Sequence, residues 1–270
     1  APISMPRSST TPPDAPCAPH PPWIRALTAT AAISLAVFAN SASAEDLTKF
    51  YSTERVSGYK SGEFMILAED DVNFRSNPAV SNNIISCLPR HSLLRITKDE
   101  QPWAEAVWNG HKGYIATEYL TPAEAEPLLN DEDINFGEWK LDDVFVPENA
   151  ALGKLLKEGK EHGDYVYEYA DVKISVNRKK HTITAMEGKS PLFATMRGVS
   201  NGDEAARVVG QYGMPNRVVY FTPDKNDESL KQTMMLGYDF PSDGDYEDAG
   251  LDFYIDGNDR VSKIVLRKDD

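Results

Sequence analysis

Cysteine is scarce: Cys17 and Cys87 are the two in the chain. That is too few for a disulfide framework of the kind that holds small secreted domains together. No apolar run reaches the ~20 residues that a membrane-spanning helix needs. Positive charge is also in short supply, with 28 Lys and Arg against 42 Asp and Glu and a formal net charge of −14. This balance excludes a whole-chain electrostatic footprint for nucleic acid. It makes an anionic membrane surface an equally poor partner. Glycine-rich phosphate loops, a Gly-x-Ser-x-Gly elbow and His-Glu-x-x-His are missing too. What remains is an ordinary globular composition, 41% hydrophobic and 26% charged over 270 residues, with room for two or three small domains.

Residues 1–44 differ from the rest. The first 22 carry eight prolines and no hydrophobic periodicity. Arg25 then precedes an apolar run over residues 26–38, followed by Asn40-Ser41-Ala42-Ser43-Ala44. A cation, a short apolar stretch and small residues at an Ala-x-Ala site form a secretory signal. The expected outcome is export, to the periplasm or outside the cell, with cleavage near Ala44. Cleavage takes Cys17 with it, so no internal disulfide is expected. Cys87 then stands as a lone thiol, either buried beside Ile84, Ile85 and Leu88 or paired between chains.

From residue 66 short apolar strands alternate with turn residues up to 122, a spacing that predicts a small β-barrel. Asn109-Gly110, between Trp108 and the strand containing Tyr114, is a strong hairpin signal. Val72-Asn73-Phe74-Arg75-Ser76-Asn77-Pro78 resembles the V-N-x-R-S-G-P signature of bacterial SH3-type domains. Leu88, Trp103, Gly113-Tyr114-Ile115 and Tyr119-Leu120 follow in that family's order. Two positions depart from it: Asn77 replaces a glycine, and His91 stands where the family turns on glycine. The resemblance implies a binding module for cell wall peptides or an envelope protein. Asn73, Phe74, Arg75, Trp103, Tyr114 and Tyr119 are then its candidate ligand contacts. For the aromatics the competing reading is barrel core.

A connector (45–65) precedes the barrel and an acidic linker (123–139) follows it, with Asp131-Glu132-Asp133 expected to be solvated. Two related units, 140–190 and 191–270, are expected beyond it. In the second, Ser200-Asn201-Gly202-Asp203 has capping-box form. Ala205, Val208, Val209 and Tyr212 then make an i, i+3, i+4, i+7 stripe, closed by Gly213 and Pro215. Strands are expected at 217–221, 234–240, 251–255 and 261–266. In the first unit a helix over 149–157 carries Leu152, Leu155 and Leu156, with strands at 165–170, 172–176 and 181–186. The fold class expected is therefore multi-domain, mainly β plus α+β: a small SH3-like barrel, then two helix-on-antiparallel-sheet repeats. The stretch from Gly198 to Pro215 is similar to a motif of exported bacterial domains, including small outer-membrane-assembly lipoproteins. Tandem units resemble the β-lactamase inhibitor proteins.

Chemistry is sparse. Past the leader, His91, His111, His162 and His181 share no metal-ligand spacing. Cys87 lies within the barrel pattern, so a Cys–His peptidase on a separate domain has no nucleophile. Asp243-Gly244-Asp245 lacks the full calcium-loop spacing. We therefore expect no catalytic residues, no metal and no cofactor, in a non-catalytic exported binding protein. The alternative expectation is a proteinaceous inhibitor or effector that inserts an acidic loop, Asp243, Asp245 and Glu247, into a basic partner site.

Overall fold

A computed structural model describes residues 51–57, 62–122, 129–222, 232–241 and 246–268. The leader lies outside the described residues, as do Cys17, Asp243 and Asp245.

The smaller of two large sheets uses β2 (Phe64–Leu67), β3 (Val72–Arg75), β4 (Ile84–Leu88), β5 (Leu93–Glu100), β6 (Trp103–Trp108), β7 (His111–Ala116) and β8 (Leu120–Pro122), in the order β4-β3-β7-β6-β5-β2-β8. Each apolar stretch read as a strand in this region is one. Alternation decides which side chains go inward: on β6, Ala104 and Ala106 are buried while Trp103, Glu105 and Val107 face outward. All six strands from β2 to β7 feed one core cluster of Leu67, Val72, Phe74, Leu88, Leu94, Ala104, Ala106 and Ile115, so the sheet wraps round it. The two small alanines leave the centre to Phe74. Gly113 is required there, because a Cβ would stand 2.6 Å from Phe74 Cζ and 2.7 Å from the Arg75 carbonyl. The β6–β7 turn is the two-residue hairpin that Asn-Gly predicts, with φ of +43° at Asn109 and +78° at Gly110.

The larger sheet has nine antiparallel strands. Its members are β1 (Tyr51–Ser57), β11 (Lys157–Glu161), β12 (Asp164–Glu168), β13 (Val172–Val176), β14 (Ile183–Gly188), β15 (Arg217–Thr222), β16 (Gln232–Asp239), β17 (Ala249–Asp256) and β18 (Val261–Lys268). The order is β1-β15-β16-β17-β18-β14-β13-β12-β11. Two four-stranded meanders, β11–β14 and β15–β18, meet through their last strands, with Met186 opposite Leu266. A third, two-stranded sheet joins β9 (Asn135–Phe136) to β10 (Trp139–Lys140).

The expected pair of helix-on-sheet units is corrected here: among the described residues there is one α-helix, α1 (Ala205–Tyr212), and the architecture is three antiparallel sheets. The α1 stripe packs on the second meander, with the Tyr212 ring 5.5 Å from Tyr238 and 5.2 Å from Phe253. Its N-cap is Glu204, which makes no side-chain cap bond. The Asp203 carboxylate instead accepts from the Ser200 amide at 2.8 Å, one turn too early for a capping box. The sheet satisfies the helix start, since the Ala205 amide donates to the Asp259 carbonyl at 2.9 Å. Gly213 at φ +74° ends the helix as expected.

The helix expected over 149–157 is a single 3₁₀ turn, Ala150–Leu152, that runs into β11. Gly153 at φ +75° breaks it, and the Leu156 amide donates to the Glu168 carbonyl at 2.8 Å, extending the sheet. Leu156 is exposed at 61%. A three-leucine stripe is too short to outweigh pairing with β12.

The segment expected to be a solvated acidic linker, with the residues just after it, packs on the first meander. Ile134, Phe136 and Leu141 are fully buried and join the main core. Gly188 makes room, since a Cβ there would meet Phe136 Cζ at 2.5 Å. Asp133 is buried as well and receives Arg197 Nε at 2.9 Å and the Asn130 amide at 3.0 Å. Arg197 also lies 4.6 Å above the Tyr212 ring, tying this segment to α1. Cys87 is half-buried and disulfide-bonded, and Ile84 and Ile85 are exposed, so they do not bury it as one of the two expected readings had it.

Candidate functional site

The six residues expected to line a ligand groove divide into two groups. Strand β3 is buried along its whole length, so Asn73, Phe74 and Arg75 line no groove. Phe74 is the centre of the small core. Arg75 Nη1 donates to the Ser81 carbonyl and to Asn83 Oδ1, both at 2.9 Å, which fastens the loop after β3. Tyr119 is half-buried against the same core. These four are architectural.

Trp103 and Tyr114 are brought to the outer face of β6 and β7. Cross-strand register sets Glu105 opposite Tyr114, two residues along from Trp103 on the same face. Glu105 is held by three donors: Lys112 Nζ at 2.9 Å, Thr97 Oγ1 at 2.8 Å and Tyr114 Oη at 3.2 Å. The Lys112 bond, followed by the Thr97 bond, keeps its carboxyl below the usual range. The result is a half-exposed strip of two aromatics about a fixed carboxylate. Sequence reasoning had no sign for Glu105, because its donors come from the two flanking strands, Thr97 from β5 and Lys112 and Tyr114 from β7.

The Asn109-Gly110 turn also has a second role. Asn109 is buried and Nδ2 donates to the Asp256 carbonyl at 2.9 Å, while Thr233 Oγ1 donates to Asn109 Oδ1. Trp108 hydrogen-bonds the buried Asp259 side chain. This hairpin tip therefore docks on the β17–β18 turn of the larger sheet. Nearby, the His91 ring packs against Gly210 of α1, where a Cβ would meet Nδ1 at 2.8 Å. Phe64 and Leu93 of the smaller sheet belong to the larger core, so the two sheets share packing.

The face of the larger sheet opposite α1 carries a cross-strand charge cluster. Asp252 receives Arg217 Nη2 and Arg267 Nε, each at 2.9 Å. Gly237 and Gly250 clear the space for the two guanidinium groups. Beside them Lys263 is bonded to Glu187 at 3.3 Å and lies 4.3 Å above the Tyr254 ring. Burial lowers the Lys263 ammonium below its ordinary pKa and raises the Tyr254 hydroxyl to about 12. The cluster went unseen in the sequence; its only local signal is glycine inside strand patterns. Glu247 is exposed in the turn before β17.

Among the described residues no helix is long and apolar enough to cross a membrane, and no group of three or more His, Cys, Asp or Glu side chains converges as for a metal ion. No family model and no curated protein matches the chain. One solved structure, the C-terminal domain of TagH, aligns at 8% identity and a TM-score of 0.21, over 79% of this chain and 99% of that one. A likeness this weak defines no class.

Proposed function

We propose that the chain is an exported, non-catalytic binding protein of the bacterial envelope whose smaller sheet is an SH3-type module for cell wall peptides. The observation that supports this reading is the Trp103–Glu105–Tyr114 strip. Aromatic faces contribute contact area at low entropic cost, and Glu105, held by its three donors, fixes the Tyr114 ring beside Trp103. The leader motif in residues 1–44 supports export. The test is cosedimentation of the protein with purified peptidoglycan, beside Trp103→Ala and Tyr114→Ala variants. Retention of the wild-type chain and loss in both variants supports the reading. Equal retention of all three, or of none, refutes it.

A further inference from the structure

The tips of the β11–β12 and β13–β14 hairpins lie side by side and enclose an open depression of about 410 Å³, whose lining includes His162, Asp164, Tyr165, Asn177, Arg178 and Lys179. Tyr165 is the hub. Lys160 Nζ lies 5.4 Å and the Arg178 guanidinium 5.8 Å from its ring centroid, and the His181 ring stacks at 6.5 Å. Lys179 and Lys180 follow on the same turn, where Asn177 Oδ1 accepts from both of their amides at 3.0 and 3.1 Å. That bonding fixes the loop that presents the three successive cations.

Two acidic groups stand at these tips, Glu161, which is ion-paired, and Asp164, which lines the depression and is held by a hydroxyl. Asp164 Oδ2 accepts from Thr184 Oγ1, and Glu161 Oε2 from Lys173 Nζ, both at 2.6 Å. Among the described residues no carboxylate comes within ion-pair distance of Lys160, Arg178, Lys179 or Lys180. Arg178 and Lys179 thus line the depression without an ion-pair partner, with Lys160 and Lys180 adjacent, in a protein whose net charge is −14. Lys160 and Arg178 each make a cation–π contact with the Tyr165 ring. A singly charged carboxylate would satisfy one arginine fork and leave the lysines unmatched. A phosphoryl group carries more charge and three acceptor oxygens, and it matches an arginine fork with point-charge ammonium groups around it.

We propose that this cleft binds a phosphoryl group. The inference is independent of the reading of the smaller sheet, which involves other strands. The test is a titration of isotope-labelled full-length protein with inorganic phosphate at constant ionic strength, followed by amide NMR shifts. The same protein is titrated with acetate, and cosedimented with phosphatidylglycerol vesicles. Saturable shifts confined to residues 160–165 and 177–181 are expected with phosphate. A Lys160→Ala/Arg178→Ala double variant is expected to weaken binding at least ~tenfold, or ~1.4 kcal/mol. Both side chains are exposed, and an unchanged spectrum elsewhere shows that the variant is folded. Vesicle binding that phosphate displaces assigns the group to a lipid headgroup, and phosphate binding without vesicle binding assigns it to a soluble ester; both support the proposal. Absence of saturable shifts, an equal response to acetate, or an unaltered response in the double variant overturns it.

Discussion

Asp259 is the most informative position for a single substitution. It lies in the β17–β18 turn at 7% exposure, where the smaller sheet docks. Burial, and then the nearby Glu204 carboxylate, raise its pKa from 3.8 to about 7; Asp256 adds to this, while the Trp108 hydrogen bond and Arg260 oppose it. A rise of that size corresponds to roughly 4 kcal/mol at ~1.4 kcal/mol per pKa unit. Because the folded value is the higher one, the folded chain keeps a proton that the unfolded chain releases. This contribution is therefore complete below about pH 4, is lost as pH climbs toward about 7, and is gone above that. Asp259→Asn removes the titration and tolerates the left-handed backbone, φ +61°. Its amide oxygen still accepts from Trp108. The prediction is that wild type and variant are close in stability near about pH 4, and that the variant is more stable by up to ~4 kcal/mol near about pH 8. Urea unfolding midpoints across that range measure the gap, and shared ionisable groups cancel in the difference. A gap that stays constant with pH would refute the reasoning, because a neutral-to-neutral difference in packing carries no proton.

Three further substitutions test the packing and the joint. Gly113→Ala sets a Cβ at 2.6 Å from Phe74 and 2.7 Å from backbone, so it should cost ~1–3 kcal/mol or more, seen as a lower thermal midpoint. An unchanged midpoint would mean that the small core is looser than described. Arg197→Ala leaves the Asp133 side chain, 2% exposed, as an unpaired buried charge and should cost ~3–5 kcal/mol in denaturant unfolding. Asn109→Ala removes the bond to the Asp256 carbonyl and should cost ~1–3 kcal/mol, with faster limited proteolysis between the two sheets while the strands of each stay protected.

How legible each element was depends on where its partners lie. Helix α1 was readable because Ala205, Val208, Val209 and Tyr212 carry the whole signal within one stretch, and Gly213 stops it locally. Strands β15 to β18 were readable from alternation over long runs. The 149–157 stretch was misleading because three leucines imitate a helix face, while the competing bond, Leu156 to Glu168, is made by a strand further on. Ile134 and Phe136 were hidden among acidic neighbours; surface composition is averaged over a segment, whereas burial is decided residue by residue. In the candidate groove, motif matching marked Phe74 and Trp103 alike. Strand register then sent one into the core and the other outward.

The joint between the sheets shows the same limit in its sharpest form. Asn109, His91 and Asp259 all adopt positive φ, +43°, +67° and +61°. Glycine would adopt these conformations with less strain, yet a side chain is present at each position. The contacts account for that: Asn109 bonds Asp256 across the joint, Asp259 bonds Trp108, and His91 fills the space left by Gly210 of α1. His91 was visible in the sequence as a departure from a family glycine, but its reason lies on a helix more than a hundred residues away. The backbone cost is local, and the interaction that offsets it is tertiary. The two sheets are therefore coupled through residues whose conformations make sense only when both sheets are folded, and this is why a change at Asn109 should loosen one sheet from the other before it unfolds either.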